Sequence, residues 1–147
     1  MVDQKDAKIL ECLAENGRHS TQEIAKNTHI PVTTVHNRMK RLVRDGVIKG
    51  YTVVVDYKKT GKPIAAYVLV NVDYALLKQS NSSQHDLILK IKQRAPVEDV
   101  AMVTGSKDIV LKIRVATIDK LNGFVTQELR TIAGVGATET LVVLEEF

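Results

Sequence analysis

Between Ile30 and Gly46 the chain reads IPVTTVHNRMKRLVRDG, and its polar residues are of the types that grip nucleic acid. At helical spacing Thr33, Thr34, Asn37, Lys40, Arg41 and Arg44 share one side, with Arg38 on the flank. Arginine and asparagine make bidentate contacts to base edges, and arginine and lysine neutralise phosphates. No acidic residue interrupts the run before Asp45. The candidates for base edges are Thr33, Thr34 and Asn37. Arg38 and Arg41 suit a guanine or a phosphate. Lys40, Arg44 and, just beyond, Lys49 suit phosphates. The plainer reading is a solvated basic face on a surface helix, so the neighbouring elements decide.

Those side chains need a helix with a buried opposite face. Val32, Val35, Met39, Leu42 and Val43 recur at intervals of three and four and supply it, and Gly46 is placed to end the helix. Upstream, Asp3 can cap a first helix, with Asp6 near its positive end. Ala7, Leu10 and Leu13 form its stripe, widened by Ile9, and Asn16-Gly17 stops it. Ser20 with Glu23 is a capping box for a short second helix that buries Ile24 and Ala25. Thr28 to Pro31 make a turn into the third. Three short helices with a tight turn between the last two form a helix-turn-helix, in which the third is the recognition helix. Val47 to Tyr51 continues as an extended wing or hinge, and the β-branched run Tyr51 to Val55 reads as a strand.

Lys58 to Pro63 holds glycine, proline and three lysines and marks a connection rather than a core. Beyond it the pattern is regular. Ile64 to Val72 reads as a strand. Ser83 with Asp86 starts a helix bearing Leu87, Ile88 and Ile91, which ends at Ala95-Pro96. Val97 to Thr104 and Ile109 to Val115 read as strands joined by the turn Gly105 to Asp108. Thr117 caps a helix that buries Leu121, Phe124, Val125 and Leu129, and Thr138 to Phe147 closes as a strand. The expected fold is α+β. Residues 1–50 make a helix-turn-helix domain, winged or not, 51–63 a hinge strand and linker, and 64–147 a ferredoxin-like βαββαβ domain. The first and last strands of that domain are apolar on both faces, and helices cover only one. A twofold sheet-to-sheet dimer is the simplest cover for the other.

Charge and composition narrow the class. The charged fraction is 26% and the hydrophobic fraction 44%, as in soluble globular proteins. Residues 1–50 carry nine Lys/Arg against six Asp/Glu, and the rest of the chain twelve against eleven. The basic excess therefore sits in the N-terminal third, which points that lobe at an anionic partner. The longest apolar runs, such as Ile64 to Val70, are too short to span a bilayer, and the N-terminus is polar, so the expected compartment is the cytoplasm with no membrane partner. Cys12 is the only cysteine, has no intrachain partner and lies in a helical periodicity that buries it at least partly. His19, His29, His36 and His85 do not cluster with it at zinc spacing. No phosphate loop, nucleophile elbow or paired-carboxylate site is present in the pattern, so no catalytic residue, metal or cofactor is expected.

Taken together these residues resemble the Lrp/AsnC family, the leucine-responsive or feast/famine regulators. In the N-terminal lobe the resemblance rests on Asp6, Ile9-Leu10, Leu13, Asn16-Gly17-Arg18, Glu23-Ile24-Ala25, Thr34-Val35, Arg38, Lys40-Arg41-Leu42 and the run DGVIKGYTVVVD at 45–56. In the C-terminal lobe it rests on the βαββαβ order and on the turn Val103 to Asp108. One departure stands at the start of the recognition helix, where the family often has serine then proline and this chain has Pro31 and Val32. The resemblance implies a prokaryotic transcription regulator on double-stranded DNA. Its C-terminal domain, called RAM, would form homodimers that assemble further to tetramers or octamers. It also implies an amino-acid effector held between dimers by the loop after the second strand, here Thr104, Gly105, Ser106, Lys107 and Asp108. A glycine-containing turn offers backbone groups and Asp108 a carboxylate for such a ligand, and Glu139, flanked by Thr138 and Thr140, is a further candidate. The bland alternative for this loop is a hairpin turn.

Two other classes stand beside a regulator. Siroheme decarboxylase subunits resemble the same two-domain architecture, and an enzyme of that type would show a tetrapyrrole-sized pocket faced by histidine or arginine. A pure oligomerisation module would show no DNA affinity. The basic set Arg38, Lys40, Arg41 and Arg44 argues against the enzyme.

Overall fold

Asp3 starts the first helix, α1 (Gln4–Glu15), by accepting hydrogen bonds from the N–H groups of Lys5 and Asp6, while the Asp6 carboxylate accepts from the Asp3 N–H. This reciprocal box satisfies donors that a helix start otherwise leaves unpaired. Ser20 and Glu23 make the same box at the start of α2 (Thr21–Thr28). His29 then turns the chain in the left-handed conformation at φ 56°. The third helix, α3 (Val32–Arg44), follows Pro31, which gives no side-chain cap. Its φ of −54° is already helical, so the ring presets the entry that a capping serine would otherwise provide. At the far end the Gly46 N–H donates to the Val43 carbonyl at 3.1 Å and the Val47 N–H to the Leu42 carbonyl at 2.9 Å. Gly46 sits at φ 70°, so this is a Schellman stop that depends on glycine.

The computed structural model describes residues 1–146, so Phe147 of the expected closing strand lies outside them. The chain divides between Val55 and Asp56 into two compact units.

In the first unit Ile9, Cys12, Ile24, Ile30, Val35 and Leu42 form the core, with Leu10, Leu13, Ala25, Met39 and Ile48 packed against it. Three expectations need correction. Ala7 is exposed, because Ile9 and Cys12 rather than Ala7 face the neighbouring helices. Val32 and Val43 are 42% and 49% exposed, because they lie to one side of the sector centred on Val35 and Leu42. Tyr51 to Val55 is not a strand, and among the described residues these three helices are followed by no wing. The β-branched run has the propensity, but a strand needs a paired neighbour, and Val53 and Val54 stand 76% and 103% exposed. Val47 and Ile48 instead fold back on the end of α3, both donating to the Leu42 carbonyl.

The second unit is a four-stranded antiparallel sheet in the order β2-β3-β1-β4, made of β1 (Ile64–Val72), β2 (Val97–Met102), β3 (Ile109–Val115) and β4 (Val135–Val142). Its helices are α4 (Tyr74–Gln79), α5 (Gln84–Lys92) and α6 (Ile118–Gly123). The last runs on as a π-helical turn (Phe124–Glu128) and a 3-10 turn (Leu129–Thr131). Ala66, Val68 and Val70 of β1 and Ile109, Leu111 and Ile113 of β3 pack with Leu87, Ile91, Leu121, Phe124 and Leu129 into the core.

The βαββαβ plan is therefore present, with differences. An extra short helix, α4, precedes α5 and is capped by the Asp73 carboxylate, which accepts from the Leu76 N–H at 3.0 Å. β2 stops two residues before Thr104, where the Gly105 turn begins. β4 starts at Val135 and ends at Val142, not Thr138 to Phe147. At the start of β4 a Cβ at Gly136 would stand 2.8 Å from the Asn71 carbonyl oxygen. Glycine here permits close strand approach at the irregularity between Val70 and Val72. Among the described residues no helix is long and apolar enough to cross a membrane.

Candidate functional site

Taking about 100° per residue, α3 has three surface sectors around its buried line of Val35, Met39 and Leu42. Directly opposite the core lie Thr33, Asn37, Lys40 and Arg44, all exposed. On one flank Thr34, Arg38 and Arg41 are half-buried. On the other, Val32, His36 and Val43 are exposed. The outward sector combines a hydroxyl, an amide and two cations, the donor set that reads base edges and holds phosphates. Arg44 also meets Asp45 in an exposed ion pair at 2.9 Å. Lys49 is exposed beyond the helix stop.

Arg38 and Arg41 are engaged inside the domain. Arg38 Nη1 donates to the Asp3 carboxylate at 2.6 Å and to Asp6 Oδ1 at 2.9 Å. Arg41 Nη2 donates to Asp6 Oδ2. Asp6 is fully buried and therefore ionised only because these donors replace water. Its carboxyl is held below the usual carboxylate range by the Asp3 N–H, then by Arg38 and Arg41. Arg38 pulls the Asp3 carboxyl down to about 2, and Asp3 in turn raises Arg38. The sequence did carry a signal for this. Asp6 stands with Ile9, Leu10 and Leu13 at the i, i+3, i+4, i+7 spacing of a buried stripe. An acid in that register needs a cationic partner.

Beside α3 lies a groove of about 390 Å³ lined by Thr21, His36, Met39, Lys40, Val43, Arg44 and Tyr51. His36 borders the outward face here, in keeping with the surface or DNA-facing role that its place in the sequence suggests.

In the second unit the structure brings the Thr104–Asp108 loop and Glu139 together. Thr104, Gly105 and Ser106 are exposed, and Lys107 Nζ lies 3.3 Å from Glu139 Oε2. The end of β1 anchors the loop. Asn71 Nδ2 donates to the Ser106 carbonyl at 2.7 Å, and Lys107 Nζ donates to Asn71 Oδ1 at 3.3 Å. Asp108 accepts from the Val72 N–H at 2.8 Å and from the Tyr74 hydroxyl at 3.3 Å. Burial and the Asp108 charge raise the Tyr74 hydroxyl above its ordinary value. Part of the acceptor capacity offered by Asp108 is thus already used. Asn71 and Tyr74 were not legible as loop partners, because their distance in sequence is bridged only by the register of β1 against β3.

The face of the sheet away from the helices carries Tyr67 and Leu69 of β1, Val110 of β3 and Leu141 of β4, interleaved with Lys112 and Arg114. It is less uniformly apolar than the strand patterns suggest. Buried Arg114 pairs with Glu98 at 2.6 Å and with Glu146 at 2.9 Å, and the Tyr57 ring stacks on its guanidinium at 3.9 Å. Arg114, then Lys112, pull the Glu146 carboxyl down to about 2. Among the described residues no group of three His, Cys, Asp or Glu is placed to hold a metal ion.

This architecture matches known proteins along its whole length. Residues 2–49 match the model for winged helix-turn-helix DNA-binding domains, and residues 65–147 the Lrp/AsnC ligand binding domain. A helix-turn-helix-type transcriptional regulator of Pyrococcus furiosus is 36% identical over 142 residues, covering 97% of this chain and 92% of that one. The structure of AsnC from E. coli superposes with a TM-score of 0.80 at 27% identity, covering 99% of this chain and 94% of the other. A Neisseria meningitidis transcriptional regulator solved in complex with L-Met has the same fold, with a TM-score of 0.87, 23% identity, and 99% and 92% coverage. With a helix-turn-helix unit ahead of a four-stranded unit, and with these matches over both, the chain belongs to the Lrp/AsnC family of DNA-binding transcription regulators.

Proposed function

We propose that this regulator binds double-stranded DNA through the outward face of α3 as a homodimer, and that an amino acid tunes its assembly. The observation that carries the DNA reading is the separation of sectors on α3, which leaves Thr33, Asn37, Lys40 and Arg44 facing solvent with no core duty. Thr33 and Asn37 meet base edges, Thr34 borders them from the half-buried flank, and Lys40, Arg44 and Lys49 meet phosphates. Two copies pair through the face bearing Tyr67, Leu69, Val110 and Leu141, and dimers join further into tetramers or octamers. Paired recognition helices then address half-sites about 34 Å apart on one side of the duplex.

The effector is an amino acid held near Thr104, Gly105, Ser106, Lys107 and Asp108, with Glu139 beside them. Supporting this are the ligand-binding family of the domain, the convergence of Glu139 on the loop, and the L-Met complex of the Neisseria protein. Its influence equals the difference in its affinity for the alternative assemblies. The protein acts in the cytoplasm, where its DNA is, and does no catalysis.

A mobility-shift titration on the region upstream of its own gene, with and without a pool of amino acids, tests this. Specific retardation that changes with one amino acid supports both halves. Specific retardation indifferent to every amino acid removes the effector half. Absence of binding to any duplex at low salt overturns the proposal.

A further inference from the structure

Resting on the DNA reading above, we infer that Asp6 is a positioning residue that withholds Arg38 and Arg41 from DNA and so sharpens the selectivity of α3. Four cations lie on α3: Arg38, Lys40, Arg41 and Arg44. All four at the duplex would give strong attraction to phosphates of any sequence, because phosphate contacts carry no base information. Asp6 divides them. Its two oxygens face Arg38 and Arg41 separately, Oδ1 toward Arg38 and Oδ2 toward Arg41. Asp3 takes a second hold on Arg38 at 2.6 Å.

The geometry is built rather than incidental. Asp6 is buried completely, and the side chains of Arg38 and Arg41 are only 21% and 37% exposed. On the helical wheel Arg41 lies about 60° and Arg38 about 120° from the pole occupied by Arg44. Both point toward α1, and the charge of the two arginines is answered by Asp3 and Asp6. Lys40 and Arg44 remain as the cations of the outward face, beside Thr33 and Asn37, which carry base information. The same clasp fixes the rotation of α3 about its axis, since both arginines are tied to one carboxylate on a different helix. Selectivity then comes from two effects of one residue. Cations that any phosphate would attract are neutralised, and the reading side chains are held in one orientation.

The test uses the full chain and two duplexes of equal length. One carries the sequence enriched by the wild-type protein from a random pool, and the other is its scramble. Affinities are measured against salt concentration, and melting is followed in parallel. Arg41→Gln and Arg38→Gln keep a donor toward Asp6. Each is expected to leave affinity for the selected duplex within about twofold and its salt slope unchanged, since neither arginine is a phosphate contact. Asp6→Asn removes the charge shared by the two arginines, releasing Arg41 and leaving Arg38 to Asp3 alone. Affinity for the scrambled duplex is expected to rise about three- to tenfold at low salt, with the slope steeper by about one. The inference is overturned if Arg41→Gln or Arg38→Gln, melting as the wild type does, loses tenfold or more with a slope shallower by about one. If Asp6→Asn does not fold, the two arginine variants decide alone. If the wild type binds no duplex, the DNA reading falls and this inference with it, whereas loss confined to the variants overturns the inference only.

Discussion

Asp6 on α1 and Arg38 on α3, separated by 32 positions in sequence, meet at 2.9 Å with the carboxylate wholly buried. The contact ties the first helix of the DNA-binding unit to the third, and Asp3 and Arg41 extend it on either side. Asp6→Ala is expected to lower the unfolding free energy by about 3 kcal/mol. This is the lower end for a broken buried pair, because both arginines keep some contact with water. Urea denaturation followed by far-ultraviolet circular dichroism measures it. A loss below 1 kcal/mol would show that the clasp does not stabilise the unit.

Asn37 and Lys40 stand on the same outward sector but are expected to fail differently. Asn37→Ala should cost about 1–3 kcal/mol on the selected duplex and relax discrimination at one base position. Lys40→Ala should weaken all duplexes alike and reduce the salt slope by about one. Titrations against a panel of single-base variants at two salt concentrations separate the two outcomes.

Gly46→Ala places a Cβ where the chain turns through φ 70°. The space around it is open, so the effect comes from backbone conformation alone. A loss of about 1–2 kcal/mol is expected on thermal melting, with the fold retained. Gly46→Asn should lose less, because asparagine tolerates the left-handed region better.

Acid should loosen both units through depressed carboxyls. Asp3 titrates near 2 in the folded chain against an ordinary 3.8, and Glu146 near 2 against 4.5. A depressed folded value means that the unfolded state binds protons first. The contribution is therefore complete above the ordinary value and disappears as pH falls through the folded one. Stability is expected to hold from neutrality to about pH 5 and to fall between about pH 4.5 and 2. Arg114→Met, which removes the first partner of Glu146, should flatten that dependence in the second unit.

Asn71→Ala removes the amide that holds the Ser106 carbonyl at 2.7 Å and meets Lys107 at 3.3 Å. Amide hydrogen exchange in 104–108 is expected to speed up while the β1 and β3 cores stay protected. Calorimetric titration with the amino acid that changes DNA binding should then show weaker affinity than the wild type. Equal affinity would place the effector elsewhere.

Much of this fold was legible because its determinants are local. The caps at Asp3, Ser20, Ser83 and Thr117, and the stop at Gly46, are short-range chemistry. The alternation through Ile109 to Val115 reflects one helix-covered sheet face. What failed depended on partners far away in sequence. Tyr51 to Val55 has strand residues but no strand beside it. The closing strand starts at Val135 rather than Thr138, because it pairs there with Val72 of β1. Among the site residues, periodicity placed Thr33, Asn37, Lys40 and Arg44 on the outward side of α3, but it also put Thr34 and Arg41 there, and both are half-buried. The ion pairs of Arg38 and Arg41 were not legible, because the acid that meets them lies on the apolar stripe of another helix. The meeting of Glu139 with Lys107 likewise depends on β-sheet register.

The stop at Gly46, the line of Val35 and Leu42, and the clasp at Asp6 leave the outward residues of α3 with almost no part in folding. Thr33, His36, Asn37 and Lys40 are exposed, and among the described residues Arg44 pairs only with its exposed neighbour Asp45. A library varied at these five positions should therefore melt within a narrow range while its preferred operators diverge. Target choice in such a domain can drift, or be re-engineered, one side chain at a time without a compensating change in the scaffold.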